Sequence, residues 1–375
     1  MNRRRQRGFT LIELMVALVV SSLLAGMILA IFSRMSAAYR GQQQIAGVQQ
    51  VLAAARATIE LDAKQAGLAM SKGFKLAGAP AVARSPIEVV NSSTGPDQIA
   101  FFYADPTNQA VVQAPAPAAW TALPSVTVDA TGGFVAGDLV VLSRPDLSVA
   151  GLKLGEANIA SHDACVLQIA PGGVVAGPPS TLTFSTVAPW GRGDSSQCTT
   201  PVPGATLIYK LVAHAYRIDP DPLRTAIGPL QWSLTGGLIG TAADSWTDLA
   251  YGFTDIQTAL QVFDNDGLDT ADLDGDGNRE WYSGVTQDAV TASALIPPAS
   301  LLQVSISLVA RTDRDVEGIV TAATPQLIDP ALPNNNQIGD HPSVALPWAI
   351  DPSLPGRIYR YTTFQVDLRN LGVGR

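Results

Sequence analysis

The sequence predicts an α+β protein in which a long N-terminal helix is followed by a β-rich globular domain. Residues 9–32 form an uninterrupted apolar run that contains one charge, Glu13. The first proline of the chain is Pro80, so no proline breaks a helix before that point. After residue 80, short apolar segments alternate with clusters of Pro, Gly, Asn and Asp, which is typical of strands joined by turns.

The apolar run is long enough to cross a bilayer as a helix. Its 24 residues span about 36 Å at 1.5 Å per residue. The basic cluster before it, residues 3–7, should stay in the cytoplasm, which places the rest of the chain in the periplasm. A cleaved secretory signal has a shorter apolar core with small residues after it. We therefore expect a single-pass inner-membrane protein.

The residues around Glu13 suggest why a charge occurs there. A carboxylate in an apolar span costs about 2.5–3.5 kcal/mol on insertion scales, so it is either tolerated near the membrane edge or paired. The sequence Arg7-Gly8-Phe9-Thr10-Leu11-Ile12-Glu13 resembles the class III signal of type IV prepilins and type II secretion pseudopilins. In that signal a basic leader ends in Gly, a Phe follows, and a Glu lies four residues further on.

This resemblance implies a processing site and an assembly residue. Residues 1–8 would be a leader that a prepilin peptidase cleaves between Gly8 and Phe9, after which Phe9 is N-methylated. Glu13 would pair with the N-terminal amine of a neighbouring subunit during assembly. Such pairing is physically reasonable because a carboxylate neutralises the new cation inside a helix bundle of low dielectric constant.

Residues 33–72 are expected to continue the helix as an amphipathic stem. Within them, apolar residues recur at spacings of 3, 4, 3 and 4, which is the period of one helix face. These residues are Ile45, Val48, Leu52, Ala55 and Ile59. Arg56, Glu60 and Lys64 lie off this stripe and suit a polar face. We expect the helix to run from Phe9 to about Met70 and to pack its stripe on the following domain.

Residues 80–375 are expected to form the β-rich periplasmic or tip domain, with an insertion around 110–250. Apolar runs and alternation predict seven strands. They are Ile99–Tyr103, Leu139–Ser143, Val166–Ile169, Leu182–Val187, Leu207–Ile218, and the segments 302–308 and 364–368. Cys165 and Cys198 suit one disulfide in an oxidising compartment, or else two buried thiols.

An aspartate-rich turn, DNDGLDTADLDGDGNRE, occupies residues 264–280 between the strand-like segments LQVF and EWYSG. Asp272, Asp274 and Asp276 fall at positions 1, 3 and 5 of a loop like that of an EF-hand, with Gly277 at the sharp turn. Ligands that consist of oxygen alone favour Ca²⁺ over zinc. The turn therefore predicts a structural Ca²⁺ site, and the alternative is a solvated hairpin that binds no metal.

This loop departs from the EF-hand pattern at its end. The twelfth position, where a bidentate Glu belongs, is Ser283. Glu280 could close the shell instead, and Asn278 could supply a backbone carbonyl. Three further carboxylates could fold back onto the ion. These are Asp264, Asp266 and Asp269.

Three C-terminal segments narrow the resemblance. They read QTALQVFDNDGLDTADLDGDGNREWYSG, LLQVSISLVARTDR and RIYRYTTFQVDLRNLG. They resemble the PilW-type minor pilins, which pair an aspartate-rich turn with an Arg-bearing strand and finish on a Tyr/Arg strand and Leu-Arg-Asn. This resemblance implies a subunit that primes type IV pilus assembly together with other minor pilins and the major pilin. It also implies that a large adhesin is a candidate partner at the pilus tip.

Two other functions remain open at this point, and catalysis is not expected. A J-type pseudopilin of a type II secretion system would share the helix, and a tip adhesin or DNA-uptake subunit would use the body for binding. The formal net charge is −8 and becomes −12 without the four leader arginines, which argues against direct contact with nucleic acid. His162, His214 and His341 are isolated, and no nucleophile motif or cofactor loop occurs.

Overall fold

The structure is a computed structural model of the whole chain. It describes residues 10–70, 74–76, 82–92, 95–114, 125–143, 164–185, 201–219, 228–233, 246–263, 279–283, 301–314, 316, 357–368 and 370. The long N-terminal helix and the strand-rich domain that the sequence predicts are both present, which confirms the α+β fold class.

The helix α1 runs from Leu11 to Gln65, a length of 55 residues. It ends five residues before the predicted Met70 because the next residues bond to the sheet instead of continuing the helix. The N–H of Gly67 donates to the carbonyl of Phe102 at 2.9 Å, and Gly67 has a φ of 80°. A glycine adopts this left-handed conformation without steric cost, so the chain can leave the helix there.

Within the residues that the structure describes, fourteen strands follow the helix. They are β1 (Phe74–Leu76), β2 (Val82–Arg84), β3 (Ile87–Val90), β4 (Gln98–Val111), β5 (Ser125–Val128), β6 (Leu139–Ser143), β7 (Cys165–Val175), β8 (Ser180–Phe184), β9 (Leu207–Ile218), β10 (Gly228–Ser233), β11 (Trp246–Phe263), β12 (Arg279–Ser283), β13 (Leu301–Arg311) and β14 (Tyr359–Asp367). All seven segments predicted as strands lie within or overlap one of these. Strands β1, β2, β3, β5 and β10 were not predicted.

The main sheet has the order β14-β13-β11-β10-β9-β6-β7-β1-β2. Its described pairs are antiparallel except β1 with β7. Strand β4 pairs along one edge of β9, from Ile99 opposite Tyr216 to Val111 opposite Leu207. These two long strands lie beneath the last turns of the helix.

The apolar stripe of the stem packs on this sheet, as predicted. Leu52, Ala55 and Ile59 are buried, and Ile45 and Val48 are partly buried. The stripe continues through Ala63 and Ala66 and forms one core with residues of the facing sheet. That sheet surface includes Phe101, Tyr216, Leu230, Phe253, Ile256, Val304, Ile306 and Phe364.

The middle of the chain builds a second core. Strands β5 and β8 pair with each other, and β8 also pairs with β7. The apolar side chains of these strands form a cluster separate from the one under the helix. Strands β9 and β10, however, belong to the main sheet. The proposed insertion at 110–250 therefore includes strands of the main sheet as well as β5 and β8. Its bounds stay a prediction.

Candidate functional site

The first half of α1 is apolar and fully exposed. Its large apolar side chains between Leu11 and Met35 are exposed by 52% at the least, at Val20, and by 79% at Leu11. In the described part of the chain, α1 is the one helix long and apolar enough to cross a membrane. Contiguous apolar surface of this extent indicates contact with lipid or with another protein.

Glu13 lies in the first turn of this exposed segment. Its Oε2 accepts hydrogen bonds from the backbone N–H and the hydroxyl of Thr10, each at 2.9 Å. The N–H of Glu13 donates in return to the Thr10 hydroxyl at 3.4 Å. This reciprocal arrangement is a capping box, which satisfies helix N–H groups that have no partner within the helix. Glu13 therefore starts the helix while its carboxylate remains exposed.

The other predicted site residues lie mostly outside the described residues. This holds for Gly8 and Phe9, for Cys198, and for the Asp-rich turn from Asp264 to Asn278. Cys165 is buried at the start of β7. The disulfide between Cys165 and Cys198 and the processing site stay predictions.

The strands that flank the Asp-rich turn are described, and they form a hairpin. Strands β11 and β12 pair antiparallel from Ala259 opposite Ser283 to Phe263 opposite Arg279. Glu280 lies within β12, where its backbone pairs with Val262. The described residues hold no cluster of three metal-ligating side chains, but they do not include the turn itself. The Ca²⁺ site stays a prediction, and the strands on either side of the turn pair with each other.

The polar face predicted for the stem is present. Glu60 bonds Arg56 at 3.3 Å and Lys64 at 2.6 Å, both at helical i,i+4 spacing. Such exposed pairs each contribute about 0.3–0.5 kcal/mol. The Arg56 guanidinium also lies 5.4 Å from the centre of the Phe364 ring, so this polar face of the helix borders β14, the edge strand of the sheet.

Sequence analysis missed a buried polar cluster where the stem meets the sheet. Asp62 is 4% exposed, and its carboxylate contacts Tyr103, His214 and Tyr216. We call these four residues the Asp62 cluster. A signal was present in the sequence, because Asp62 lies three residues after Ile59 and so continues the buried stripe. A carboxylate on a buried helix face requires partners.

Comparison with known proteins bears directly on the N-terminal segment. Residues 3–29 match the family model of the prokaryotic N-terminal methylation motif. The chain thus carries such a motif, and the matched residues include Gly8, Phe9, Glu13 and most of the exposed apolar helix. The match supports a prepilin-type N-terminus that anchors the chain in the membrane.

The chain is also similar to one solved structure. A type IV-like pilin from Thermus thermophilus aligns with a TM-score of 0.37 and 12% sequence identity. That alignment covers 86% of this chain and 97% of the pilin. No curated protein matches the chain.

Proposed function

We propose that this chain is a PilW-type minor pilin that takes part in type IV pilus assembly. The observation that carries the proposal is the methylation motif at residues 3–29 on a helix whose first half buries nothing within its own chain. A prepilin peptidase would cleave between Gly8 and Phe9, and Phe9 would then be N-methylated. The mature subunit would wait in the inner membrane with its body in the periplasm.

The exposed half of α1 suits a helix that moves from the lipid bilayer into a bundle of pilin helices. Its apolar side chains are compatible first with the bilayer and then with a bundle of similar helices. Assembly would bring Glu13 close to the new N-terminal amine of a neighbour, where the two charges neutralise each other. Because Glu13 is exposed and, among the described residues, bonds to Thr10 alone, it can reach a partner by a change of rotamer.

The body would face other proteins of the pilus. Its proposed partners are the other minor pilins, the major pilin and, at the tip, an adhesin. We also propose that the Asp-rich turn binds Ca²⁺ and stiffens the tip of the β11–β12 hairpin, since clustered carboxylates repel each other unless a cation bridges them. Net acidity of the body disfavours a direct role with nucleic acid.

An in-frame deletion scored in parallel for surface pili and for secreted proteins tests the proposal. Loss of pili with normal secretion is the expected result. Loss of secretion with normal pili would instead assign the chain to a type II secretion pseudopilus as a J-type pseudopilin. Normal pili that fail only in adhesion or DNA uptake would assign it to a tip-binding role.

A further inference from the structure

The Asp62 cluster joins the stem helix to two paired strands by directional bonds. Asp62 Oδ1 accepts a hydrogen bond from the Tyr103 hydroxyl on β4 at 2.8 Å. Asp62 Oδ2 accepts a hydrogen bond from the Tyr216 hydroxyl on β9 and lies 2.8 Å from His214 Nδ1 on the same strand. Since an ionised carboxylate only accepts, Nδ1 of His214 carries the hydrogen of this contact.

The donors of this cluster are held in place by their surroundings. Tyr216 is fully buried and Tyr103 is 7% exposed. Burial, together with the negative charge of Asp62, raises the pKa of both tyrosines well above the usual value, so both hydroxyls keep their protons. The His214 ring packs 5.2 Å from the ring of Trp232 and edge-on to Tyr103 at 6.2 Å. The carboxylate thus faces a preformed set of donors.

Apart from the Arg56–Phe364 contact and a hydrogen bond from Asn370 Nδ2 to the Lys64 carbonyl at 3.0 Å, the rest of the stem contact is mostly apolar and repetitive. Along the buried face, alanine or a larger aliphatic residue recurs every three or four positions. Apolar contact is not directional, so this face opposes a shift of one turn mainly at Gly41, where a Cβ would lie 2.8 Å from Val316 Cγ1. Asp62 does not tolerate such a move, because its carboxylate would then lie among apolar side chains without its donors.

We propose that Asp62 is a register lock, a single buried carboxylate that fixes the rotation and axial position of α1 on the sheet. Buried polar residues set helix register in this way in coiled coils, at some cost in stability. The consequence extends along the whole helix. A rotation by one residue at Asp62 would turn Glu13 and every exposed apolar side chain by about 100° relative to the body. The lock thereby fixes the direction in which each exposed side chain of the helix points relative to the body.

The test compares helix register with stability in the full chain in detergent micelles. One spin label at Gln50→Cys, exposed on the helix, pairs with a second at Val135→Cys or Val175→Cys, both exposed on the body. Two body positions ensure that a shift along the helix axis changes at least one distance. The unsubstituted chain, treated with the same label, controls for reaction at its own cysteines.

The decisive variant replaces all four residues of the Asp62 cluster with apolar side chains of similar size, Asp62→Leu with Tyr103→Phe, His214→Phe and Tyr216→Phe. We expect an unchanged or higher denaturation midpoint, together with a second distance population displaced by about one helical turn, ~5 Å. Ile59→Val is the matched control, since it weakens the same core without touching the cluster and should keep one narrow population. One narrow population at the original distance in the apolar variant would overturn the lock.

A second variant covers the case in which the apolar variant does not fold. Asp62→Asn keeps the size of the side chain but removes its charge and one acceptor, so the tyrosines and His214 cannot all donate to it. We expect a broadened distance distribution with a minor displaced population. A distribution identical to that of the unsubstituted chain would overturn the proposal, whatever happens to stability. Neither outcome depends on the proposed role in pilus assembly.

Discussion

Asp97 receives both the backbone N–H and the hydroxyl of Thr258, at 2.9 and 3.0 Å, although 161 residues separate the two. The other carboxylate oxygen of Asp97 accepts the N–H of Ser92 at 2.9 Å. Asp97 is 1% exposed and lies just before β4, while Thr258 lies in the middle of β11. This contact therefore fastens the turn between β3 and β4 to a strand that does not pair with either of them.

Burial of Asp97 makes stability depend on pH. Burial raises its pKa from 3.8 to about 7, and the nearby charge of Asp255 acts in the same direction. Between pH 4 and 7 the folded protein keeps a proton that the unfolded chain releases. We therefore expect the free energy of unfolding to fall as pH rises through this range and to level off above it, by an amount on the order of 2–4 kcal/mol.

Asp97→Asn isolates this effect, since the amide has nearly the same shape and does not titrate. The free energy of unfolding of both proteins is measured with denaturant from pH 4 to 8. That of the unsubstituted protein should fall relative to that of the variant as pH rises, so that any advantage of the unsubstituted protein narrows or reverses. Parallel pH profiles for the two proteins would contradict the assignment to Asp97.

Substitutions on the buried face of the stem helix should destabilise the protein more than substitutions on its exposed face. Ile59→Ala removes a side chain that is fully buried between the helix and the sheet. We expect a loss of about 2–5 kcal/mol in the free energy of unfolding, from lost burial and a residual cavity. Leu61→Ala is the matched control, because Leu61 is 57% exposed on the opposite face. Its change should stay within about 0.5 kcal/mol. Equal losses for both would rule out the stem core.

Processing is tested at Gly8. With Gly8→Ala we expect unprocessed precursor to accumulate in the membrane, because the leader would no longer end in the glycine that the peptidase recognises. Intact-mass measurement distinguishes the precursor from mature chain that begins at Phe9 and carries a methyl group. Thr10→Ser, which keeps the hydroxyl beside the cleavage site, is the control. Normal maturation of the Gly8→Ala protein would overturn the assignment of residues 1–8 as a leader that ends in an essential glycine.

Glu13 caps the helix, and we propose that it also pairs with a neighbour's amine; two substitutions distinguish the observed contact from the proposed one. Glu13→Ala removes both the capping contact with Thr10 and the charge, whereas Glu13→Gln keeps an acceptor for the cap. We expect both variants to be processed and both to be deficient in sheared pili, because pairing with a neighbour's amine requires the charge. Normal incorporation of the Gln variant would show that the helix cap is sufficient and that the charge is dispensable.

Calcium binding is tested by a thermal shift. Wild-type protein stripped with chelator should melt at a higher temperature after Ca²⁺ is added, by an amount that follows the ratio of free ion to Kd. Replacing Asp274 and Asp276 with Ala should abolish the shift, whereas Mg²⁺ should reproduce it poorly because it dehydrates reluctantly. A wild-type melting temperature that does not respond to Ca²⁺ would remove the metal proposal.

Features encoded by local pattern could be predicted from the sequence. The apolar run and the stem stripe depend on residues that repeat within one or two helical turns of each other. Strands β6 and β9 have the bounds that their sequences predict, Leu139–Ser143 and Leu207–Ile218. In these segments the spacing of apolar residues alone selects helix or strand, because one face must be buried.

Only the tertiary structure decided which distant groups meet. The helix ends at Gln65 because the next residues bond to β4, and Asp62 is satisfied because Tyr103 and His214 come from paired strands. Such contacts depend on strand register and on the rotation of the helix, and a shift of one residue would direct each side chain elsewhere. The sequence by itself therefore determined the anchor, the stem face and the strand-rich body. Packing determined the Asp62 cluster and the Asp97 contact, since a buried carboxylate persists only where the fold supplies its donors.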